Sequence, residues 1–305
     1  MPRSAENQAE GRDGGPRSKP DSRLDAGLYL VATPIGNLGD ITLRAIETLQ
    51  QVDLIACEDT RTTGVLLARH GISTRTTPYH EHNAERARPG LIEKLKAGGR
   101  IALVSDAGTP LVSDPGYKLV LDAIEAGIAV STCPGPSAVL AALTLSGLPS
   151  DRFLFIGFLP NRGAARRTTL AELTAIKATL IVLEAPHRLA ESLADMARVL
   201  GPRMAAVARE LTKRYEEVRR GSLTDLAAYY AEAGAPRGEL VVVIGPPGKS
   251  SATPTDETID ARLGTLLKSS SVREAAAALA AETGLPRRTL YARALKLSRG
   301  ADDEG

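Results

Sequence analysis

From Leu28 onward, short continuously apolar runs alternate with segments whose apolar residues recur at helical spacing. LYLVATP (28–34) is a strand-like run closed by Pro34, and ITLRAIETLQQ (41–51) places Ile41, Ala45, Ile46 and Leu49 on one side of a helix. LIACED (54–59) predicts the next strand, and TGVLLARHG (63–71) the next helix, ended by Gly71. An extended piece near TRTTPYH (74–80) precedes the helix LIEKLKAGG (91–99). Strand IALVSD (101–106), helix YKLVLDAIEAG (117–127), strand IAVSTCPG (128–135) and helix SAVLAALTLSG (137–147) follow. Apolar strands that alternate with amphipathic helices predict a parallel sheet covered on both faces, over 27–148.

A second α/β domain is predicted over 149–247, with more antiparallel pairing. Its strands are FLFIGFLP (153–160, with all three Phe), TLIVLEAP (179–186), MAAVARE (204–210) and ELVVVIGPP (239–247). YEEVRRGSL (215–223) reads as a hairpin region, and the helices are ARRTTLAELTAIK (165–177), HRLAESLADMARVLG (187–201) and LTDLAAYYAEAG (223–234). Residues 248–262 have the composition of a linker. Over 263–300, two helices flank a turn at Thr283–Leu285, with Gly284 ending the first and Pro286 starting the second, as in a helix-turn-helix. The second helix carries Arg287, Arg288, Arg293 and Lys296 and no acid. It is suited either to nucleic acid or to packing as a solvated hairpin on the body or on a dimer partner. Residues 1–26 have almost no apolar content and are expected to be a disordered extension.

Composition narrows this picture. Hydrophobic residues make up 43% and aromatics 3%, with no Trp, so the cores are expected to be aliphatic. A net charge of +2 names no partner, which leaves that to local clusters. Cys57 and Cys133 have neither disulfide-framework nor metal spacing and suit buried thiols in a reducing compartment. No run is long enough for a membrane span and no apolar signal core is present, so a soluble cytoplasmic protein is expected.

Four turn-rich loops follow the strands of the first domain. In TPIGNLGDIT (33–42), Gly36 and Gly39 lack the GxGxxG spacing of a pyrophosphate cradle. Asp40, helped by Thr42, is expected to cap the next helix, while Thr33, Pro34, Gly36 and Asn37 suit the lining of a substrate cleft. In EDTR (58–61), Glu58 and Asp59 sit where an acid commonly binds a ribose hydroxyl; Arg61 is a plausible counter-ion, and one of the acids could instead cap a helix. In VSDAGTPLVSDPG (104–116), Asp106 falls at the strand end, where open sheets bind ligands, and Gly108 permits close backbone approach. Ser113 or Asp114 is expected to cap a helix opened by Pro115, which makes Asp106 the functional acid and Asp114 a structural one. CPGPSA (133–138) feeds another helix start, where the Ser137 hydroxyl suits a carboxylate or ribose oxygen.

The second domain adds EAPHR (184–188), with Glu184, His187 and Arg188, and ARELTKRYEE (208–217), with Arg209, Glu210, Lys213 and Arg214. With Arg162, Arg166, Arg167 and Arg237, these cations could meet phosphates or form a surface salt-bridge mesh. No nucleophile elbow, HExxH or Walker lysine motif is present, so hydrolysis by a serine triad or a metal, and NTP hydrolysis, lose support.

Taken in order, TPIGNLGDIT, EDTR, SDAGTPLVSDPG, PGPSA, FLFIGFLP, EAPHR and RELTK resemble the RsmI family. That family comprises bacterial 16S ribosomal RNA cytidine 2′-O-methyltransferases within the tetrapyrrole methylase superfamily. Arg237 stands where Lys is usual before Gly-Glu, and Ala185 where Ser is frequent. The resemblance implies two α/β domains of tetrapyrrole-methylase type with a C-terminal helix-turn-helix-like segment, and a homodimer. It also implies S-adenosylmethionine held folded between the domains, with no metal required, and 16S rRNA in the 30S subunit as partner. Carried over by motif, the donor would meet Asp106, Gly108, Thr109 and Ser113, then Pro134, Gly135, Ser137 and Ala138, and backbone near Leu183 and Leu240.

In-line attack of a ribose 2′-OH on a sulfonium methyl requires alignment and loss of the hydroxyl proton. Glu58, Asp59, Glu184 and Lys213 are candidates to assist, and the sequence does not choose among them. Arg61, Arg188 and Arg209 could grip phosphates, with the 33–42 loop, including Asp40, placing the nucleotide beside His187. The alternatives are a tetrapyrrole methyltransferase and a non-catalytic nucleic-acid-binding protein.

Overall fold

The computed structural model describes residues 24–114, 116–248, 256–267, 270–283 and 285–302. Most of the expected N-terminal extension, Pro115 and Gly284 lie outside the described residues. The chain divides into two units between Ala138 and Val139.

The first unit is built on β1 (Gly27–Val31), β2 (Leu54–Cys57), β3 (Thr76–Pro78), β4 (Arg100–Val104) and β5 (Val130–Cys133). They pair in the order β3-β2-β4-β1-β5, all parallel, as the apolar runs predicted. Four helices connect them: α1 (Leu43–Gln51), α2 (Thr60–Arg69), α3 (Ala84–Lys96) and α4 (Tyr117–Glu125). The period of two along β4 divides the core. Ala102 and Val104 pack with Ala45, Leu49, Leu66 and Leu67 of α1 and α2, whereas Ile101 and Leu103 pack with Leu91, Leu95 and Leu119 of α3 and α4. α3 begins seven residues before the apolar stretch that announces it, because its first turns are polar and contain Pro89. Both cysteines are buried thiols, with Cys133 Sγ 3.2 Å from Thr48 Oγ1.

The unit boundary differs from the expected 148. α5 (Ala138–Ser146) falls almost entirely in the second unit, where Arg220 donates to Ser146 O at 3.1 Å and to Leu145 O. The second sheet has the order β6-β7-β10-β8-β9, from β6 (Phe153–Phe158), β7 (Thr179–Glu184), β8 (Met204–Arg209), β9 (Glu217–Ser222) and β10 (Leu240–Ile244). Only β6 and β7 are parallel; the other pairs, including the β8–β9 hairpin, are antiparallel. One core joins alternate residues of β7, β8 and β10 to α6 (Gly163–Glu172), α7 (Leu189–Leu200) and α8 (Leu223–Ala233).

Three helices close the chain: α9 (Asp256–Leu267), α10 (Val272–Thr283) and α11 (Arg287–Asp302). α10 and α11 are the anticipated pair. Of the linker expected over 248–262, residues 249–255 lie outside the described residues and 256–262 are corrected to helix by α9: Ile259 and Leu263 are buried with Ala275, Ala276, Leu279, Leu290 and Ala294 in a core of their own. Its helical spacing was hidden by the Ser/Thr/Pro-rich stretch before it. Among the described residues, no helix is long and apolar enough to cross a membrane, and no group of three His, Cys, Asp or Glu could hold a metal ion.

Candidate active site

Parallel pairing sends the four loops of the first unit off one sheet edge. β1 connects past β4 to β2, and β4 past β1 to β5 in the opposite sense, so their loops leave for opposite faces of the sheet at the point where the winding reverses, the place where α/β sheets bind ligands. The loop after β4 holds the other three. Thr33 and Gly108 exchange backbone hydrogen bonds of 2.9 and 3.0 Å, and the Thr33 hydroxyl donates to Ser105 O at 3.0 Å. Asp106 Oδ1 accepts the Asp59 N–H at 3.0 Å, and the Thr109 hydroxyl donates to Pro136 O at 3.2 Å. Gly108 is required by this construction: its φ is +81°, and a Cβ there would lie 3.3 Å from Ile35 Cγ2. Leu111 (φ 71°) and Ser113 (φ 64°) adopt the left-handed region without being glycine, and such backbone strain collects at functional sites. Thr33, Pro34, Leu38, Thr62, Thr63, Leu66, Ser105 and Asp106 line a cavity of about 50 Å³.

Two capping assignments are corrected. Thr42, not Asp40, caps α1 by accepting the Ala45 N–H at 3.1 Å, and exposed Asp40 lies in a one-turn helix capped by Asn37. Gly36 is exposed in the same loop. α4 starts after Gly116 with no side-chain cap, so neither Ser113 nor Asp114 serves there; Gly116 has φ +135°, and a Cβ would lie 2.7 Å from Leu103 Cδ2.

That release changes the role of Asp114. Burial, followed by the charges of Glu58 and Asp106, lifts its carboxyl to about 6, against the pull of a Ser105 hydrogen bond. This residue, read as structural from the sequence, is held well above the usual carboxylate range. Asp59 goes the other way. It caps α2 by accepting the Arg61 N–H at 2.8 Å, and the Arg61 guanidinium, 2.6 Å away and 90% exposed, holds it down to about 2. Arg61 is therefore the counter-ion its position suggested.

Register assembles a second cluster in the other unit. Leu240 at the start of β10 faces Glu184 at the end of β7 and Arg209 at the end of β8, and Val241 faces Leu183. Glu184 is buried: Oε1 accepts the Ala185 N–H at 2.8 Å and lies 3.4 Å from Arg188 Nε, while Oε2 has no hydrogen-bond partner among the described residues. The cations favour the salt-bridge mesh. Arg188 donates to Leu159 O at 2.9 Å and to Asn161 Oδ1; Arg209 pairs with Glu217 at 3.1 Å. Lys213 meets Glu210 at 2.8 Å and Glu239 at 3.2 Å; burial opposes its charge, but these two acids outweigh that and hold the ammonium above its usual range. Lys213 is therefore unsuited to act as a base. Arg166, fully buried, lies 2.7 Å from both Asp195 and Glu191, which removes it from any phosphate surface. His187 is exposed in the one-turn helix Pro186–Arg188.

Residues 27–227 match the family model for tetrapyrrole (corrin/porphyrin) methylases, and 253–298 match that for the RsmI C-terminal HTH domain. The "Ribosomal RNA small subunit methyltransferase I" of Mesorhizobium japonicum is 55% identical over 94% of this chain and 98% of its own. This chain belongs to the RsmI family of the tetrapyrrole methylases. The same-named protein of a Synechocystis species is 49% identical over 88% of this chain and 98% of its own. As a member of this family the chain is a methyltransferase. Among solved structures, the methylase fold is shared with a uroporphyrin-III-C-methyltransferase of Thermus thermophilus (TM-score 0.52, 23% identity, covering 72% of this chain and 94% of that one). It is shared too with a cobalt precorrin-4 methyltransferase (TM-score 0.54, 16% identity, 72% and 94%). At these identities the likeness concerns fold alone.

Proposed function

We propose that this methyltransferase carries a methyl group from S-adenosylmethionine to the 2′-OH of a cytidine in the decoding region of 16S rRNA, in the 30S subunit. The observation that carries this reading is the 55% identity, over 94% of the chain, to a relative named as a small-subunit rRNA methyltransferase. The loops fit a donor rich in hydroxyl, amine and carboxylate groups. Asp106 has a second carboxylate oxygen beyond the one holding Asp59, and the backbone of Gly108, Thr109 and Ser113 lies along the same strained loop. Pro134, Gly135, Ser137 and Ala138 supply the neighbouring turn, and Thr33, Pro34, Gly36, Asn37 and Asp40 place the nucleotide.

The donor, when bound, supplies an already electrophilic methyl, so the chain's task is to align the hydroxyl and receive its proton. Asp59 at about 2 and protonated Lys213 are poor acceptors, and Glu184 is enclosed beside Arg188. Asp114 shares the β4–α4 loop with Asp106, and burial, then the charges of Glu58 and Asp106, brings it to about 6; it is the acceptor we assign.

The test is transfer of label from S-adenosylmethionine to 30S subunits lacking the modification, followed by mapping of the labelled nucleoside. A 2′-O-methylcytidine in the decoding region is expected. Unlabelled RNA with donor binding intact, and label entering a uroporphyrinogen-like compound, would replace this reading with the tetrapyrrole one.

A further inference from the structure

α11 carries its cations in a way that the fold of its own domain does not explain. Leu290 and Ala294 are buried in the three-helix core, and Leu297 packs against it. Arg293 lies beside this inner side and is consumed there: Nε and Nη2 donate to the two carboxylate oxygens of Asp260 on α9 at 2.5 and 3.0 Å. Arg287, Arg288 and Lys296 instead lie on the outer side, exposed, with exposed Tyr291 among them, and none has an ion pair among the described residues.

Arg287 and Arg288 also occupy the first turn, where the helix dipole disfavours positive charge, and no acid is present there to offset them. The neighbouring helix is built in the opposite way. At the start of α10, Ser271 Oγ accepts the Glu274 N–H at 3.3 Å and Glu274 Oε2 accepts the Ser271 N–H at 3.0 Å, a capping box with its acid in the favoured place. A local rule kept in α10 and broken next door, without a gain inside the domain, marks α11 as shaped by something outside it.

We infer that the outer face of α11, through Arg287, Arg288 and Lys296, is a docking surface for the phosphate backbone of the RNA substrate, separate from the residues that handle the donor. The inference rests on the RNA reading above. It commits to RNA because this face offers cations without an ion pair among the described residues, around an aromatic ring, in a chain whose net charge is only +2. A partner copy presenting the same basic face would repel it. Arg293 is excluded, which leaves three docking cations of the four between positions 287 and 296.

The test is equilibrium binding of the full chain to 30S subunits lacking the modification, by filter retention from about 50 to 300 mM KCl, with no methyl transfer required. Three proteins are compared: the parent, Arg287→Gln/Arg288→Gln/Lys296→Gln, and a control losing three exposed cations elsewhere, Arg69→Gln/Arg75→Gln/Lys94→Gln. The α11 variant is expected to bind about tenfold or more weakly near 100 mM salt, with the slope of log K against log salt shallower by about two. Its donor affinity and circular dichroism should match the parent, and the control should bind as the parent does. Unchanged affinity and slope, an equal loss in the control, or an altered sedimentation coefficient in place of altered binding would each overturn the docking surface. Failure of the methylation reading alone would appear differently, as salt-dependent α11 binding intact with no label reaching cytidine.

Discussion

Asp114 is where a single side chain departs furthest from what its place in the sequence suggests. It precedes a helix, as a capping aspartate would, yet α4 starts without it and the carboxyl turns acidic company into proton affinity. The consequence for stability has a definite sign. The folded chain binds this proton more tightly than the unfolded one, so the group favours folding below about 3.8, and that contribution is lost as pH rises through about 6. Asp114→Asn should melt higher than the parent near pH 7.5, by on the order of 1 kcal/mol after discounting for partial exposure, with no such gain near pH 4. The same variant should lose about 100-fold or more in kcat/KM, and with it the acidic limb near pH 6. A limb that persists in the variant would assign the proton to another group.

At the scale of the element, the loop between β4 and α4 ties the edge of the first unit together, with hydrogen bonds to the loops after β1, β2 and β5. Its left-handed Leu111, packed against the α3–α4 side of the core, and exposed Ser113 hold backbone strain in the same loop. The first loop offers a sharp comparison of two acceptors. Thr42→Ala removes the α1 cap and should cost about 1 kcal/mol in urea denaturation, while Asp40→Ala, which removes no cap, should stay within about 0.5 kcal/mol. The reverse ranking would restore Asp40 as the cap.

The whole molecule raises the question of assembly. Tyr117, Leu121 and Ile124 stand at helical spacing on α4 and are 67%, 39% and 59% exposed, an apolar stripe that a solitary unit has no reason to present to water. We propose that a homodimer, as the family resemblance implies, covers it. Leu121→Glu/Ile124→Glu is then expected to sediment as a monomer at concentrations where the parent is a dimer; an unchanged sedimentation coefficient would move the interface elsewhere.

Much of this protein is written in short-range order. Apolar runs and helical spacing specify both sheets, because strand and helix periods are local properties. Parallel connectivity then places the 33–42, 58–61, 104–116 and 133–138 loops at one edge, and the capping grammar of Asp59 and Thr42 is equally local. What the chain cannot show on its own is which charges meet. Arg166 finds Asp195 at a separation of 29 residues, Arg209 finds Glu217 through hairpin register, and Arg293 finds Asp260 across 33 residues. Those pairings turn a list of possible phosphate ligands into a structural mesh with a few exposed exceptions. The proton affinity of Asp114 is decided in the same way, by burial and by two acids on neighbouring loops. Charge interactions act through space and depend on solvent exclusion, neither of which sequence spacing records.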